Sequence, residues 1–203
     1  MGGRAVKQRI SLASGVLPEF DAVTVAAAAA ATGYSDAGLM VRPDQWDVNQ
    51  EQPLLDIKAE HGIGYLDVEV LWIPAGGQLD DSHRLIVDVG GRLQADHVLV
   101  VSDEADADQL APALRQISDW CEPYRLKPML EFLRITAVAS LAQAQELLTA
   151  VEGHNFGILL DALHLARSNE LDRLPMLDAA QHPYIQLCDG HLALSLIHIS
   201  EPT

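Results

Sequence analysis

The sequence predicts an α/β fold, a parallel (β/α)8 barrel that is incomplete at about seven strands. Three observations predict it. Hydrophobic residues alternate between strand-like and helix-like periods along the whole chain, as repeated βα units require. The repeats are about 25 to 30 residues long, which suits a barrel better than a six-stranded open sheet. Polar residues also recur where strands should end: Asp67-Val-Glu69, Leu130-Glu131-Phe132, Leu160-Asp161-Ala-Leu-His164 and Ile185-Gln186-Leu-Cys-Asp189.

The elements follow in order. Arg9–Ala13 reads as the first strand and Pro18–Thr32 as the first helix, since the Ala26–Ala31 run is strong helix former and Gly33 is a natural stop. Ala37–Val41 is the second strand and Pro53–His61 the second helix. In the third strand, Gly64–Trp72, strict alternation puts Leu66, Val68, Val70 and Trp72 on one face and Asp67 and Glu69 on the other. Asp80–Leu93 is the third helix, its end weakened by Gly90-Gly91. His97–Val101 is a nearly continuous apolar strand of the kind helices cover. Asp106–Pro123 and Ser140–Glu152 are helices flanking the fifth strand, Pro128–Leu133. Phe156–Asp161 is the sixth strand, Asn169–Ala180 a helix broken around Pro175, and Tyr184–Cys188 the seventh strand.

No linker rich in Gly, Ser or Pro divides the chain, so residues 1–193 read as one domain. The last ten residues, Leu194-Ser-Leu-Ile-His-Ile-Ser-Glu-Pro-Thr203, match the translation of a transposon-type sequencing-library adapter. They are set apart from fold reasoning as a non-native tail, and the eighth βα unit is expected beyond Ala193. A complete barrel typically takes roughly 250 residues, against 203 here.

Composition narrows the function. The apolar share of 49% and charged share of 21% are those of a folded globular protein. A net charge of −16 repels phosphodiester backbones and anionic membrane surfaces, so neither nucleic acid nor membrane is expected as a partner. No signal peptide is apparent, and no apolar run reaches the ~18 residues of a membrane span. With two cysteines, Cys121 and Cys188, and no CxxC, neither a disulfide framework nor a cysteine-type zinc site is indicated, and a cytoplasmic location is expected. GxGxxG and GxxxxGK[ST] are both absent, against a dinucleotide fold or a P-loop.

By strand parity Glu131, Asp161 and Gln186 face the interior at the carboxyl ends of three consecutive strands, where barrels of this kind place their active sites. Taken singly, each is equally compatible with an interior polar residue satisfied by hydrogen bonds; three at matching depth favour a site. Two carboxylates and an amide are oxygen ligands suited to Mg2+ or Mn2+, less so to Zn2+. His164 is three residues past Asp161 and either returns to the pocket or caps the following helix. Arg167 and Arg134 either grip an anionic substrate group or form surface salt bridges. Glu69 offers a further polar contact, Trp72 packs against helices or walls the pocket, with packing favoured, and Cys188 reads as a small buried residue. His61, His83, His97, His154, His182 and His191 have no metal-ligand spacing and read mostly as surface or turn residues.

Leu130-Glu131-Phe132, Gly157-Ile-Leu-Leu-Asp161-Ala-Leu-His164-Leu-Ala-Arg167 and Tyr184-Ile-Gln186-Leu-Cys-Asp189 together resemble the xylose isomerase-like barrels, the sugar phosphate isomerases and epimerases, over most of residues 8–191. The resemblance implies that Glu131, Asp161 and Gln186 bind a divalent metal, Mn2+ or Mg2+ first with Zn2+ or Co2+ open, that Glu131 also moves a proton, and that His164 contacts a small polyhydroxy-carbonyl substrate. The implied reaction removes a proton next to a carbonyl and passes through a metal-stabilised enediolate. Most epimerases of the family have His at the position of Gln186, whereas some dehydroshikimate dehydratases have Gln, so a lyase is the alternative. The family's fourth ligand, a glutamate on the eighth strand, has no counterpart here, which keeps a third reading, an inactive fragment or binding protein. Unpaired outer strands would also favour a homo-oligomer. A DNA-repair endonuclease of the same superfamily would want more histidines and a basic surface.

Overall fold

In the computed structural model, residues 8–188 and 190 are described; the adapter-like tail at 194–203 lies outside them. Seven parallel strands, β1 (Ser11–Leu12), β2 (Asp36–Met40), β3 (Gly64–Ile73), β4 (His97–Ser102), β5 (Lys127–Glu131), β6 (Gly157–Asp161) and β7 (Ile185–Gln186), pair strictly in chain order. Six helices connect them: α1 (Ala22–Thr32), α2 (Glu51–His61), α3 (Asp81–Arg92), α4 (Ala107–Cys121), α5 (Leu141–Ala150) and α6 (Ala162–Arg167). The sheet curls into an incomplete barrel, drawn together across its inner face by the Tyr184 hydroxyl, which donates to Asp67 Oδ2 at 2.9 Å from the far side of the sheet.

Two apolar layers result. The larger lies between sheet and helices and joins Leu39, Tyr65, Val68, Leu71, Val98, Val100, Leu130, Ile158 and Leu160 to helix residues such as Val25, Leu54, Ile86, Leu114 and Leu147. The smaller fills the inside of the barrel with strand residues: Leu99, Met129 and Leu159, with Val70 and Tyr184 against them. On α1 the alanines serve close approach, and Ala26 and Ala29 are fully buried.

Helix starts are set by side-chain caps. Asp21, Asp80, Asp106, Ser140 and Asp161 each accept backbone N–H groups of the first turn of α1, α3, α4, α5 and α6. Asp21 therefore starts α1 at Ala22, four residues later than the expected Pro18. For Asp106, which accepts from Asp108 and Gln109, Asp106→Ala is expected to cost about 1 kcal/mol. A urea midpoint identical to that of the unaltered chain would show that water serves those donors as well.

β3 departs from simple alternation. Its register slips by one residue between Tyr65 and Asp67 against β2 and again between Val68 and Leu71 against β4. Each slip is a bulge that turns following side chains to the other face. Asp67 and Glu69 do face the interior, but Val70 joins them there, while Tyr65, Leu71 and Ile73 join Val68 beneath the helices. Trp72, expected to pack, is instead 42% exposed at the strand end, its Nε1 donating to Asp103 Oδ2 at 2.7 Å.

Gly90-Gly91 does not end α3 early; both lie within it. A Cβ on Gly90 would come within 2.7 Å of Val68 Cγ2, so the bare backbone lets α3 sit close on β3. The outer face of β7 has the opposite character: Ile185 and Leu187 are exposed, as are Leu171, Leu174 and Met176 in the 3-10 turns before it.

Candidate active site

The carboxyl ends of β5, β6 and β7 bring the expected residues to one place. Glu131 is the last residue of β5 and Asp161 the last of β6; Gln186 on β7 is the register partner of Asp161. Glu131 and Asp161 are buried, Gln186 half-buried. Asp161 was expected as a ligand, and it is also the N-cap of α6: Oδ1 accepts from the N–H groups of Leu163 at 2.8 Å and His164 at 3.0 Å. This cap fixes the short helix that carries His164, and the capping residue is Asp161 and not His164. The imidazole is 4% exposed, with Nε2 4.0 Å from Glu131 Oε1 and Nδ1 without a hydrogen-bond partner among the described residues.

Of the two alternatives for the arginines, the surface salt bridge is the one the structure does not give among the described residues. Arg167 is buried, not on the surface. Arg134 is exposed, but its Nη1 donates to the backbone carbonyl of Arg167 at 2.8 Å, and it makes no ion pair among the described residues. Arg134 thus ties the β5 loop to the end of α6. Glu69 is buried on the inner face of β3, where its Oε1 accepts from the Ser14 hydroxyl just beyond β1.

The interior holds an excess of buried acid. Burial, followed by the field of Asp161, Glu69 and Asp67, pushes the Glu131 carboxyl well above the usual range. Burial and the facing Glu69 raise Asp67, while the Tyr184 hydrogen bond opposes this. Burial raises Glu69 as well, against the Ser14 contact. Burial lowers His164, Asp161 partly restores it and Arg167 lowers it further, so the ring is held neutral with a lone pair to offer. Uncompensated buried carboxyls and an orphaned imidazole nitrogen are what a divalent cation would satisfy, so the donor set fits a metal.

Three participants escape sequence reading. Ser14 is separated from Glu69 by 55 positions, though it too follows a strand. Tyr184 begins the alternation that Gln186 and Cys188 continue, a signal present in the parity of β7. Cys188 is exposed rather than buried, and its thiol donates to Asp161 Oδ1 at 3.2 Å. Among the other histidines, His83 is buried on the carbonyl of Trp72 and His97 stacks on Tyr184 at 4.8 Å, so the surface-or-turn expectation fails for these two, while His182 is buried but lies in a turn and His191 lies outside the described residues.

No family model matches the sequence, and no curated relative matches it. Solved structures do. The chain is similar to a xylose isomerase-like TIM barrel/4-hydroxyphenylpyruvate dioxygenase fusion protein, with a TM-score of 0.78 and 17% identity over 95% of this chain and 33% of that one. It is similar to the IolI protein with a bound zinc atom, with a TM-score of 0.74 and 17% identity over 89% of this chain and 72% of that one. A third likeness is to D-allulose 3-epimerase from Methylomonas sp., with a TM-score of 0.70 and 14% identity over 88% of this chain and 72% of that one. The chain thus spans a third of the first of these proteins and under three quarters of the other two. Seven parallel strands in sequential order among the described residues, with a helix after each of the first six, together give this chain an incomplete (β/α) TIM-barrel fold, similar to those of these three proteins.

Proposed function

We propose that this chain carries much of the active site of a divalent-metal-dependent isomerase or epimerase acting on a small polyhydroxy-carbonyl compound. The observation that carries the reading is Glu131, buried, held above the ordinary carboxylate range and 4.0 Å from His164 at the end of β5. A buried carboxyl shifted upward and set beside a histidine can accept and return a proton, which abstraction next to a carbonyl requires. Glu131, Asp161 and Gln186 would hold the metal, which when bound supplies Lewis-acid stabilisation for charge developing on the substrate oxygen. Neutral His164 can donate to or accept from a substrate hydroxyl, and its burial keeps water from competing. Glu69, steadied by Ser14, presents a second buried carboxyl from β3.

Support comes from the fold shared with D-allulose 3-epimerase and with the zinc-bearing IolI protein. Gln186 in place of a histidine sustains a second reading, a dehydratase-type lyase that begins with the same abstraction. Cytoplasmic residence goes with either reading, since both thiols are free and no helix among the described residues is long and apolar enough to cross a membrane. Self-association through the exposed β7 face belongs to the same proposal, and nucleic acid does not.

The test is solvent exchange. With Mn2+ present, ketoses incubated with the protein in D2O are expected to gain deuterium next to the carbonyl, followed by NMR. Glu131→Gln should slow exchange by about 100-fold or more, the usual contribution of a positioned acid-base group. Equal exchange in both proteins would remove Glu131 from the role, and loss of water from the substrate would favour the lyase.

A further inference from the structure

We propose that Cys188 adds a sulfur donor to the metal site, so that Asp161, His164 and Cys188 form a ligand set selective for zinc. This rests on the reading that the site holds a divalent metal, and goes beyond it in moving His164 from substrate contact to metal ligand and in naming a sulfur ligand and a metal preference that the oxygen-only set of Glu131, Asp161 and Gln186 does not give.

The geometry points there by three independent routes. Candidate ligand atoms of Asp161, His164 and Cys188 all lie within 4.8 Å of one another. His164 is 4% exposed, and its Nδ1 has no hydrogen-bond partner among the described residues. The Cys188 thiol is already directed at Asp161 Oδ1, 3.2 Å away, from two residues past the end of β7, the strand paired with β6. Zn–N and Zn–O bonds of about 2.0–2.2 Å and a Zn–S bond of about 2.3 Å put the corners of a tetrahedron about 3.4–3.7 Å apart. Contraction by roughly an ångström closes the triad, within reach of side-chain rotation by exposed Cys188.

The chemistry is balanced: as the S–Zn bond forms, the S–H bond breaks, the sulfur keeps the electron pair it shares with the ion, and the proton passes to solvent. A thiolate is a poor ligand for Mg2+ and a good one for Zn2+ and Co2+. The absence of paired cysteines, which argued against a cysteine-type zinc site, does not bear on a mixed site of this kind, where one sulfur joins a carboxylate and an imidazole.

The experiment uses the full 203-residue chain stripped of metal and titrated with Co2+. Expected are visible d–d bands together with a near-ultraviolet thiolate-to-cobalt charge-transfer band. The latter should vanish in Cys188→Ser and persist in Cys121→Ala. Zn2+ affinity should fall at least about tenfold in Cys188→Ser, with Mn2+ affinity changed much less. Co2+ bound with d–d bands alone, or a charge-transfer band that persists in Cys188→Ser, overturns the sulfur ligand and leaves the metal site standing. Failure to bind Co2+, Zn2+ or Mn2+ at all overturns both.

Discussion

Asp161→Ala is expected to lose divalent-metal binding and to lower the stability of the fold together, while Asp161→Asn loses the first and keeps most of the second. The reason is that one side chain serves two purposes. Its Oδ1 accepts two backbone N–H groups that open α6, and its charge faces the pocket. Alanine removes both, and loss of an N-cap costs about 0.5–2 kcal/mol. Asparagine caps about as well as aspartate but carries no charge for a cation, so metal affinity should drop at least 10- to 100-fold with little change in the denaturation midpoint. Calorimetric titration with Zn2+ and Mn2+ beside urea denaturation separates the two effects. Equal destabilisation by Asn and Ala would mean that the cap is not what Asp161 contributes; undiminished affinity in Asp161→Asn would remove it from the ligand set.

Acid should stabilise the metal-free fold over a range where most proteins are indifferent. A carboxyl whose pKa is higher in the fold than in the unfolded chain contributes stability that is fully present below about pH 4 and is lost as pH rises through its folded value. Asp67, pushed up to about 8 by burial and by Glu69, behaves this way, and so does Glu69. The salt-bridged Asp36, Glu51 and Glu170 are shifted down, so their contribution is lost only below the ordinary carboxylate range. Buried His97, His164 and His182 are also shifted down, and what they contribute is lost as pH falls below about 6.5. Between pH 6.5 and 8 the raised carboxyls act alone among these groups. Asp67 by itself should lower stability there by on the order of 1–2 kcal/mol, at about 1.4 kcal/mol per unit, and Glu69 and Glu131, shifted in the same direction, add to the fall. Asp67→Asn with Glu69→Gln should flatten the slope while keeping acceptors for Tyr184 and Ser14. Urea midpoints at several pH values decide it, and parallel profiles for the two proteins would contradict it.

Much of this was legible in the residues. β2, β4 and β6 lie within a residue or two of where apolar runs and turn residues put them, because a strand covered by helices must be apolar and its ends must be polar. Glu131 and Asp161 were legible for the same reason, each being a carboxylate that interrupts an apolar strand, although β5 ends at Glu131 and not at the expected Leu133. The two bulges of β3 were not, since a register slip depends on how neighbouring strands pair and leaves no mark in the alternation of one strand. α6 was missed because its first signal, the capping Asp161, also reads as a ligand, and a six-residue helix has too little periodicity to declare itself. Burial of Arg167 and exposure of Cys188 likewise follow from the path of the chain after its strands, not from residue type.

Because every strand pairs with its predecessor, each backbone ladder of the sheet spans one βα unit, and only side-chain contacts such as Tyr184 with Asp67 reach further. The entropy of loop closure is therefore met in equal small steps, without waiting for distant segments to find each other. During synthesis the chain can lay down its strands in the order in which the ribosome delivers them, each new strand docking on the edge made just before. The amino-terminal half, with the Arg9–Asp36 ion pair and the Tyr65 hydroxyl donating to the carbonyl of Leu54, can settle while the residues that carry the chemistry are still being translated. Vectorial assembly of this kind puts the scaffold first and the acidic pocket last, so the costly burial of Glu131 and Asp161 begins only once there is a sheet to hold them.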